Sequence, residues 1–406
     1  MTERHILLAN VFFAPFTYGG ATVVAEEVAK ALLRRGGFRV SVVSLCAREE
    51  LQTYTVVKSQ RDGIVNYVIN VPHGRSYAQL YSNPDVSEIV GSIMDDLQPD
   101  LLHAHCLQDM GVDVLEAAEA RGIPSILSVH DFWWLCERQF MIRPEQTYCG
   151  QSPVNIEDCR GCVNDFDAAK ARQDRLHDVG RLPARVTYPS AFARDLSVSS
   201  GFAPDHSVVW ENGVRLPGDD FAEAQLARRA KDKRLTFGFL GGPSQIKGWP
   251  TMREAFKSLN REDFRVFVVD GSMDGSWWSN QSLSDLPGEW EVYPRFSQHQ
   301  MDAFYAQIDV VLFMSQWKET FGLAIREALA RGISIIQTDS GGTVEHGTVP
   351  ESELIPIGAK PSVLAERLDA VLRAHPAFPE PVKVQSYDAQ AEDFAALVET
   401  VLAERA

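Results

Sequence analysis

Short apolar runs of strand length alternate along this chain with segments of helical spacing. Residues 6–13 form a continuous apolar run, and an amphipathic segment follows at residues 22–35. The same order returns at residues 236–240 and 249–259. Continuous apolar runs are typical of parallel strands that are buried on both faces. The pattern therefore predicts an α/β protein with two doubly wound, Rossmann-like units.

The most informative stretch is a predicted strand, helix and strand at residues 309–314, 323–330 and 333–337. The loop before this helix would present free backbone N–H groups at the positive end of the helix dipole, which suits a phosphate or diphosphate. Glu319 lies in that loop, and Glu327 follows about two turns into the helix. Both carboxylates could accept hydrogen bonds from vicinal hydroxyls. From spacing alone, a solvated helix with glutamates near its positive end explains the pattern equally well.

The order of residues in this stretch resembles the signature of the family 4 retaining glycosyltransferases. The matching residues are Glu319-Thr320-Phe321-Gly322-Leu323, followed by residues 327–332 and 339–345. The resemblance implies the GT-B fold, in which two Rossmann-like domains face a cleft and a C-terminal helix crosses back to the N-terminal domain.

The resemblance also implies roles for individual residues of the motif. The first glutamate contacts the donor sugar, the following backbone amides hold the diphosphate, and the second glutamate holds the ribose. These residues are Glu319, Thr320, Phe321, Gly322, Leu323 and Glu327.

A second loop with donor-binding character follows the predicted strand at residues 236–240. Gly241 and Gly242 would let the backbone approach a phosphate, and Lys247 offers a point charge. This loop resembles the family's loop that ends in Lys-Gly, but the family often carries Arg where Gly242 stands. Arg295 and Phe296 stand at the position that contacts the base in the family.

The first half of the chain carries a glycine pair and three polar residues at predicted strand ends. Gly19 and Gly20 form a turn before the first helix; they permit close approach to a ligand, although an ordinary tight turn has the same pattern. His105, His130 and Asp131 follow predicted strands, where open α/β sheets bind ligands. The resemblance implies that His130 reaches the donor sugar and that His105 is a structural or cleft-lining residue.

Four cysteines interrupt the α/β pattern with the spacing C-x12-C-x9-C-x2-C. In a reducing compartment, four thiolates suit a structural zinc better than disulfides, and only the last pair has typical metal spacing. Unrelated reduced thiols are the alternative. The predicted ligands are Cys136, Cys149, Cys159 and Cys162.

Composition narrows the range of partners. The 406 residues carry a formal net charge of −16, which argues against binding nucleic acid. Residues 1–15 lack the pattern of a signal peptide, and no apolar segment approaches the length of about 20 residues that spans a membrane. We therefore expect a cytoplasmic protein, with any membrane contact confined to a peripheral patch.

These observations predict three parts and one activity. The parts are an N-terminal acceptor domain at 1–217 with a cysteine-rich insertion at 136–164, a donor domain at 218–385, and a crossover helix at 386–406. The predicted activity is metal-independent, retaining transfer of a sugar from a nucleotide diphosphate to a hydroxyl of a sugar, lipid-linked or small-molecule acceptor in polysaccharide or glycoconjugate synthesis. An epimerase or hydrolase acting on sugar nucleotides, or a catalytically silent nucleotide-sugar-binding partner, remains as an alternative.

Overall fold

The computed structural model describes residues 3–405 of the chain, so the predicted domain limits at Met1 and Ala406 lie outside it. The chain divides into two compact units. Unit 1 comprises residues 3–140, 150–213 and 385–405, and unit 2 comprises residues 141–149 and 214–384. Residues 141–149 thus group with unit 2, although their neighbours in sequence belong to unit 1.

Unit 1 is built on an eight-stranded sheet. Its strands are β1 (Arg4–Ala9), β2 (Phe38–Cys46), β3 (Val56–Arg61), β4 (Ile64–Asn70), β5 (Leu101–Ala104), β6 (Ser125–Ser128), β7 (Arg185–Tyr188) and β8 (Ser207–Val209). They lie in the order β3-β4-β2-β1-β5-β6-β7-β8, and only the edge pair β3 and β4 is antiparallel. Five of the six residues of β1 are buried, as expected of a strand covered on both faces.

Six helices belong to unit 1. They are α1 (Gly19–Arg35), α2 (Pro84–Leu97), α3 (Asp113–Glu119), α4 (Phe166–Val179), α5 (Ala191–Ser199) and the C-terminal α11 (Tyr387–Arg405). Asn83, Asp165 and Ser190 accept the N-terminal amides of α2, α4 and α5 through their side chains, which fixes where these helices begin.

Helix α11 returns to unit 1 at the end of the chain, as the GT-B resemblance implies. Phe394 stacks on His103 with ring centroids 4.2 Å apart, and it is fully buried. Arg4 and Arg35 pair with Glu399 and Glu392 at the surface. Exposed ion pairs contribute little, so burial of the apolar face of α11 provides most of the stabilisation.

Unit 2 is built on a five-stranded, fully parallel sheet in the order β11-β10-β9-β12-β13. Its strands are β9 (Leu235–Phe239), β10 (Phe264–Val269), β11 (Glu289–Tyr293), β12 (Val310–Phe313) and β13 (Ser334–Gln337). Its helices are α6 (Phe221–Lys231), α7 (Trp249–Lys257), α8 (Met301–Tyr305), α9 (Leu323–Leu329) and α10 (Pro361–Ala374). Helices α7 and α10 cover one face, and α8 and α9 cover the other. The strand order reverses between β9 and β12, which is where such sheets bind ligands.

The two parallel sheets with flanking helices confirm the predicted fold class. The sequence also predicts a last short strand at residues 354–357. This prediction is wrong, because only Ile355 pairs there, in an isolated bridge to Thr338. The structure also contains β3 and α4, which the pattern analysis did not predict. Strand β3 is an edge strand in which four of six residues are exposed, and α4 has a strongly polar composition. Neither element therefore carries a clear apolar period.

Candidate functional site

An ion pair in unit 2 joins the two predicted donor-binding loops. Lys247 Nζ donates to Glu319 Oε1 at 2.7 Å, and Ser315 Oγ donates to the same oxygen. The Glu319 side chain is 13% exposed and that of Lys247 is 32% exposed. The pair lies where the loops after β9 and β12 meet, at the reversal of strand order, so both charges can face a bound ligand.

The loop between β12 and α9 offers backbone donors beside this pair. Within residues 3–405, the N–H groups of Phe321, Gly322 and Leu323 donate to no protein acceptor. Gly322 has φ +83, and a Cβ there would lie 2.9 Å from the side chain of Thr343. The loop needs glycine at this position because an L side chain is strained at such a φ and would also collide. Open amides next to Lys247 form a site suited to an anion.

Buried Arg326 holds this loop in place. Its guanidinium donates to the carbonyl oxygens of Phe321 at 3.0 Å, Thr343 at 2.6 Å and Gly342 at 3.1 Å. Charge-assisted bonds of this kind are stronger than neutral ones. They tie Phe321, in the loop before α9, to residues 342 and 343, which follow β13.

Glu327 lies one turn after the start of α9 and is buried. Tyr305 Oη donates to Glu327 Oε2 at 2.9 Å, whereas Oε1 accepts no hydrogen bond from the described residues. Burial raises the pKa of Glu327, and the Tyr305 hydroxyl and nearby Arg331 oppose that rise. One oxygen is thus anchored while the other is available to a hydroxyl, which is compatible with the predicted ribose contact.

The glycine loop after β9 is fixed by backbone constraints. Gly248 has φ +79, and a Cβ there would lie 2.1 Å from the carbonyl oxygen of Met314. Gly241 and Gly242 are both packed under aromatic side chains, Phe239 and Trp277 respectively. These close approaches explain why glycine occupies three positions of the loop that presents Lys247.

Arg295 and Phe296, the predicted base-contacting pair, follow β11 at the same edge of the sheet. Arg295 is exposed, and its guanidinium contacts the sulphur of Met273. Phe296 stacks on Phe304 of α8 with ring centroids 4.9 Å apart. Neither residue contacts Glu319 or Lys247 among the described interactions, so their role in base binding stays a prediction.

In unit 1, Gly19 and Gly20 do not form a loop before the first helix. They are the first residues of α1, and Gly19 has φ +79 with no atom within 4 Å of an added Cβ. The predicted helix start at residue 22 was wrong by three residues because glycine is a poor helix former and reads as a turn in sequence. Their assignment to donor binding stays a prediction.

His130 and His105 come together after strands β6 and β5. His105 Nδ1 lies 2.8 Å from His130 Nε2, and the two rings are nearly parallel. Burial lowers the pKa of His130 to about 4 and also lowers the pKa of His105, so both are neutral at pH 7. The two histidines line a small cavity together with Gln108, Asp131 and Trp133.

Asp131 belongs to the same cavity. Its carboxylate accepts from the side chain of Gln139 at 2.6 Å and from the Trp133 amide at 2.8 Å. Burial raises the pKa of Asp131, and these hydrogen bonds oppose that rise. The sequence places His105, His130 and Asp131 after predicted strands, and in the structure the three residues line one cavity. The contact of His130 with the donor sugar stays a prediction.

The four cysteines do not form a metal centre as they stand. Within residues 3–405, no group of three or more His, Cys, Asp or Glu side chains is arranged to hold a metal ion. Cys159 and Cys162 share one tight turn, with the Cys162 amide donating to the Cys159 carbonyl at 2.8 Å. Cys149 groups with unit 2 and Cys136 with unit 1. No step below involves zinc, and the four-thiolate metal site stays a prediction.

No helix in the described part of the chain is both long and apolar enough to cross a membrane.

Two parallel-sheet units, one of which combines a glycine loop, a lysine and an E-x7-E motif, define a glycosyltransferase of the GT-B class. Residues 18–216 match the model of Glycosyltransferase Family 4, and residues 221–380 match that of Glycosyl transferases group 1. The chain belongs to the family 4 glycosyltransferases, which confirms the family suggested by the motif.

Three similar proteins illustrate this relationship. A 42.6 kDa protein of the cps region of Klebsiella pneumoniae is 22% identical over 361 residues, 84% of this chain and 87% of that protein. The putative teichuronic acid biosynthesis glycosyltransferase TuaC of Bacillus subtilis is 23% identical over 252 residues, 61% of this chain and 55% of that protein. The structure of Anabaena HepE with UDP and glucose is 16% identical, with a TM-score of 0.62 over 98% of this chain and 97% of that one.

Three residues that hold the candidate site could not be predicted from the sequence. Ser315 donates to Glu319, and Tyr305 donates to Glu327. Arg326 donates to the carbonyl of Phe321, in the loop between β12 and α9. Tyr305 lies 22 residues before its partner, so spacing gave no signal. Arg326 stands next to Glu327 on α9, but a buried arginine cannot be told from a solvated one without the packing around it.

Proposed function

We propose that this protein transfers a sugar from a nucleoside diphosphate sugar to a hydroxyl acceptor, with retention of anomeric configuration and without a metal at the diphosphate. The observation that carries the proposal is the Lys247–Glu319 pair beside the open amides of Phe321, Gly322 and Leu323. Amides and an ammonium group can neutralise a diphosphate, so the chemistry has no need of a cation there.

The chemical step breaks the bond between the anomeric carbon and the donor's β-phosphate oxygen, and the electron pair leaves with the diphosphate. Lys247 and the loop amides stabilise the charge that develops on this leaving group. Because Glu319 is held by Lys247 and Ser315, its position is fixed before the donor binds. It would accept hydrogen bonds from sugar hydroxyls and orient the ring.

The acceptor hydroxyl forms the new bond on the face from which the diphosphate departs, which gives retention. Its proton passes to the departing diphosphate, so atoms and charge balance without a covalent sugar–enzyme intermediate. The roles of His130 with the donor sugar and of Glu327 with the ribose rest on the family motif.

The acceptor class is supported by the names of relatives. One similar protein lies in a cps region and another is named for teichuronic acid biosynthesis. We infer that the acceptor is a growing polysaccharide or glycoconjugate. We also infer that the donor is a nucleotide sugar, because a structure of the similar protein HepE holds UDP-glucose.

The test is a panel of nucleoside diphosphate sugars with purified protein, read by thermal shift and by release of nucleoside diphosphate, with and without EDTA. We expect one donor to raise the melting temperature and to be turned over slowly with water even in EDTA. Glu319→Gln should fold normally and lose turnover. Full turnover by Glu319→Gln would overturn the assigned site.

The same panel separates the alternatives. An epimerase would convert the donor to another sugar nucleotide without releasing diphosphate. A hydrolase would release diphosphate at the same rate with and without a mixed polysaccharide acceptor, whereas the acceptor should accelerate a transferase. A silent partner would be stabilised by a donor and would release no diphosphate even with a mixed polysaccharide acceptor.

A further inference from the structure

Trp277 lies at the carboxyl edge of the unit 2 sheet and rests on the backbone of two glycines. A Cβ on Gly242 would lie 2.8 Å from Trp277 Cε3, and a Cβ on Gly271 would lie 2.6 Å from Trp277 Cη2. Gly242 follows β9 and Gly271 follows β10, so the indole spans both loops. The residue is nevertheless 43% exposed. The two glycines thus lie against the six-membered part of the indole, while the side chain keeps a large exposed surface.

The loop that presents Trp277 is held by its neighbours. Trp278 is buried, donates through Nε1 to the Val269 carbonyl at 3.0 Å, and packs edge-on against Trp249. Asp270 Oδ1 accepts from the amides of Ser272 at 3.0 Å and Trp277 at 3.3 Å. Burial opposes the charge of Asp270, yet these hydrogen bonds and those of the serine hydroxyls lower its pKa to about 2. The exposed indole is therefore fixed before any ligand arrives, which reduces the entropic cost of binding.

The position of Trp277 depends on the glycine at residue 242. Gly242 has φ +71, which disfavours any L side chain, and Trp277 occupies the space that a side chain at 242 would enter. An arginine at this position, as the family often has, would require Trp277 to move. The departure of this sequence from the family pattern is thus matched by an aromatic surface in the same place.

The order of loops along the sheet edge indicates which part of a donor would reach this surface. Glu319 follows β12 and bridges to Gly341, on the β13 side. Lys247 lies in the loop after β9, and Trp277 lies beyond it, after β10. A donor with its sugar at Glu319 and its diphosphate at Lys247 would extend its nucleoside over β10 and β11. This step rests on the proposed function.

We propose that Trp277 binds the nucleobase of the donor by stacking on the exposed part of its indole ring. Every nucleobase has an aromatic face, so such a surface adds affinity for nucleotides as a class. Arg295, which contacts Met273 of the same loop, lies at the neighbouring strand end and could bond the edge of the stacked base. Within residues 3–405, the Trp277 indole N–H donates to no protein acceptor, so it too is available.

The test compares binding of UDP, GDP, ADP and inorganic pyrophosphate to wild type and Trp277→Ala by calorimetry. We expect Trp277→Ala to weaken binding of the preferred nucleoside diphosphate about ten- to hundred-fold, the range for loss of one stacked base. Binding of pyrophosphate, which has no base, should stay unchanged. Trp277→Phe should retain most of the affinity, and Leu226→Ala, which removes an exposed apolar side chain of α6, should change neither ligand.

Each other outcome overturns the inference in a recognisable way. Equal weakening of pyrophosphate and nucleotide would mean that Trp277 only supports the phosphate loop beneath it. Unchanged nucleotide binding would mean that the ring only covers the two glycines. If wild type binds pyrophosphate and binds none of the nucleoside diphosphates more tightly than pyrophosphate, no base site exists. If wild type binds none of the four ligands, the proposed donor site fails as well, which separates that failure from a failure of Trp277 alone.

Discussion

Removing the charge of Lys247 is the most quantitative test of the candidate site. In Lys247→Met the ammonium that would face the departing diphosphate is lost, while the aliphatic part of the side chain is kept. Two unit charges about 4 Å apart interact by about 4 kcal/mol at an effective dielectric constant near 20. Loss of a single preorganised donor to a developing anion typically costs about 2.7–4 kcal/mol. We therefore expect kcat for diphosphate release to fall about 100- to 1000-fold.

The same change has a smaller effect on stability. Glu319 loses its cation but keeps the hydrogen bond from Ser315, and its side chain is 13% exposed. We expect a loss of about 1 kcal/mol in the free energy of unfolding, because partly exposed ion pairs contribute little. Urea unfolding followed by circular dichroism measures this loss and shows whether the variant is folded at assay temperature.

Lys257→Met is the matched control. Lys257 lies on α7 of the same unit, its side chain is 34% exposed, and its Nζ lies 3.3 Å from Asp285. It thus shares residue type, exposure and ion pairing with Lys247 but lies away from the loops that carry Glu319. The reasoning would be refuted if Lys247→Met kept kcat within about threefold of wild type, or if Lys257→Met lost as much activity.

Three further predictions concern residues that support the site. Tyr305→Phe removes the hydrogen-bond donor to buried Glu327, so the free energy of unfolding in urea titrations should fall by about 1–3 kcal/mol. An unchanged value would show that another group takes over the hydrogen bond to Glu327. Gly322→Ala should be destabilised by about 1–3 kcal/mol, because position 322 has φ +83 and an added Cβ would contact Thr343. Gly161→Ala is the control: an added Cβ there has no atom within 4 Å, so its stability should be nearly unchanged in the same assay. His130 has a folded pKa of about 4, below its ordinary value, so it takes up a proton more readily in the unfolded state. The stability of the protein should therefore fall as the pH drops from about 6.5 to 4. In His130→Asn the melting temperature should fall less steeply over the same pH range.

The fold was largely predictable because buried parallel strands carry continuous apolar runs. Strand β9 is buried at all five positions, and its run was recognised directly. Edge strand β3 was missed because its exposed positions carry polar residues, and α4 was missed because its composition is strongly polar. Elements that depend on a single buried stripe or on an edge position leave little periodic signal in one sequence.

The sequence predicts the residues of each donor-binding loop, but it does not show which loops contact each other. Glu319 and Glu327 share one loop and helix, so the motif contained both. Lys247 is 72 residues from Glu319, and only the sheet order shows that their loops meet. Trp277 stands in a polar loop, where an aromatic ring could stack on a sugar or cover an apolar patch. Nothing in the sequence shows that it spans Gly242 and Gly271.

The stereochemistry of the first product tests the central claim most directly. The experiment uses a donor of known anomeric configuration that the protein accepts. The reaction with water or acceptor is run in the NMR tube, and the anomeric proton of the initial product is recorded before mutarotation. Same-face transfer predicts that this product has the donor's configuration. An initial product of opposite configuration would contradict retention and the roles assigned to the Lys247–Glu319 site.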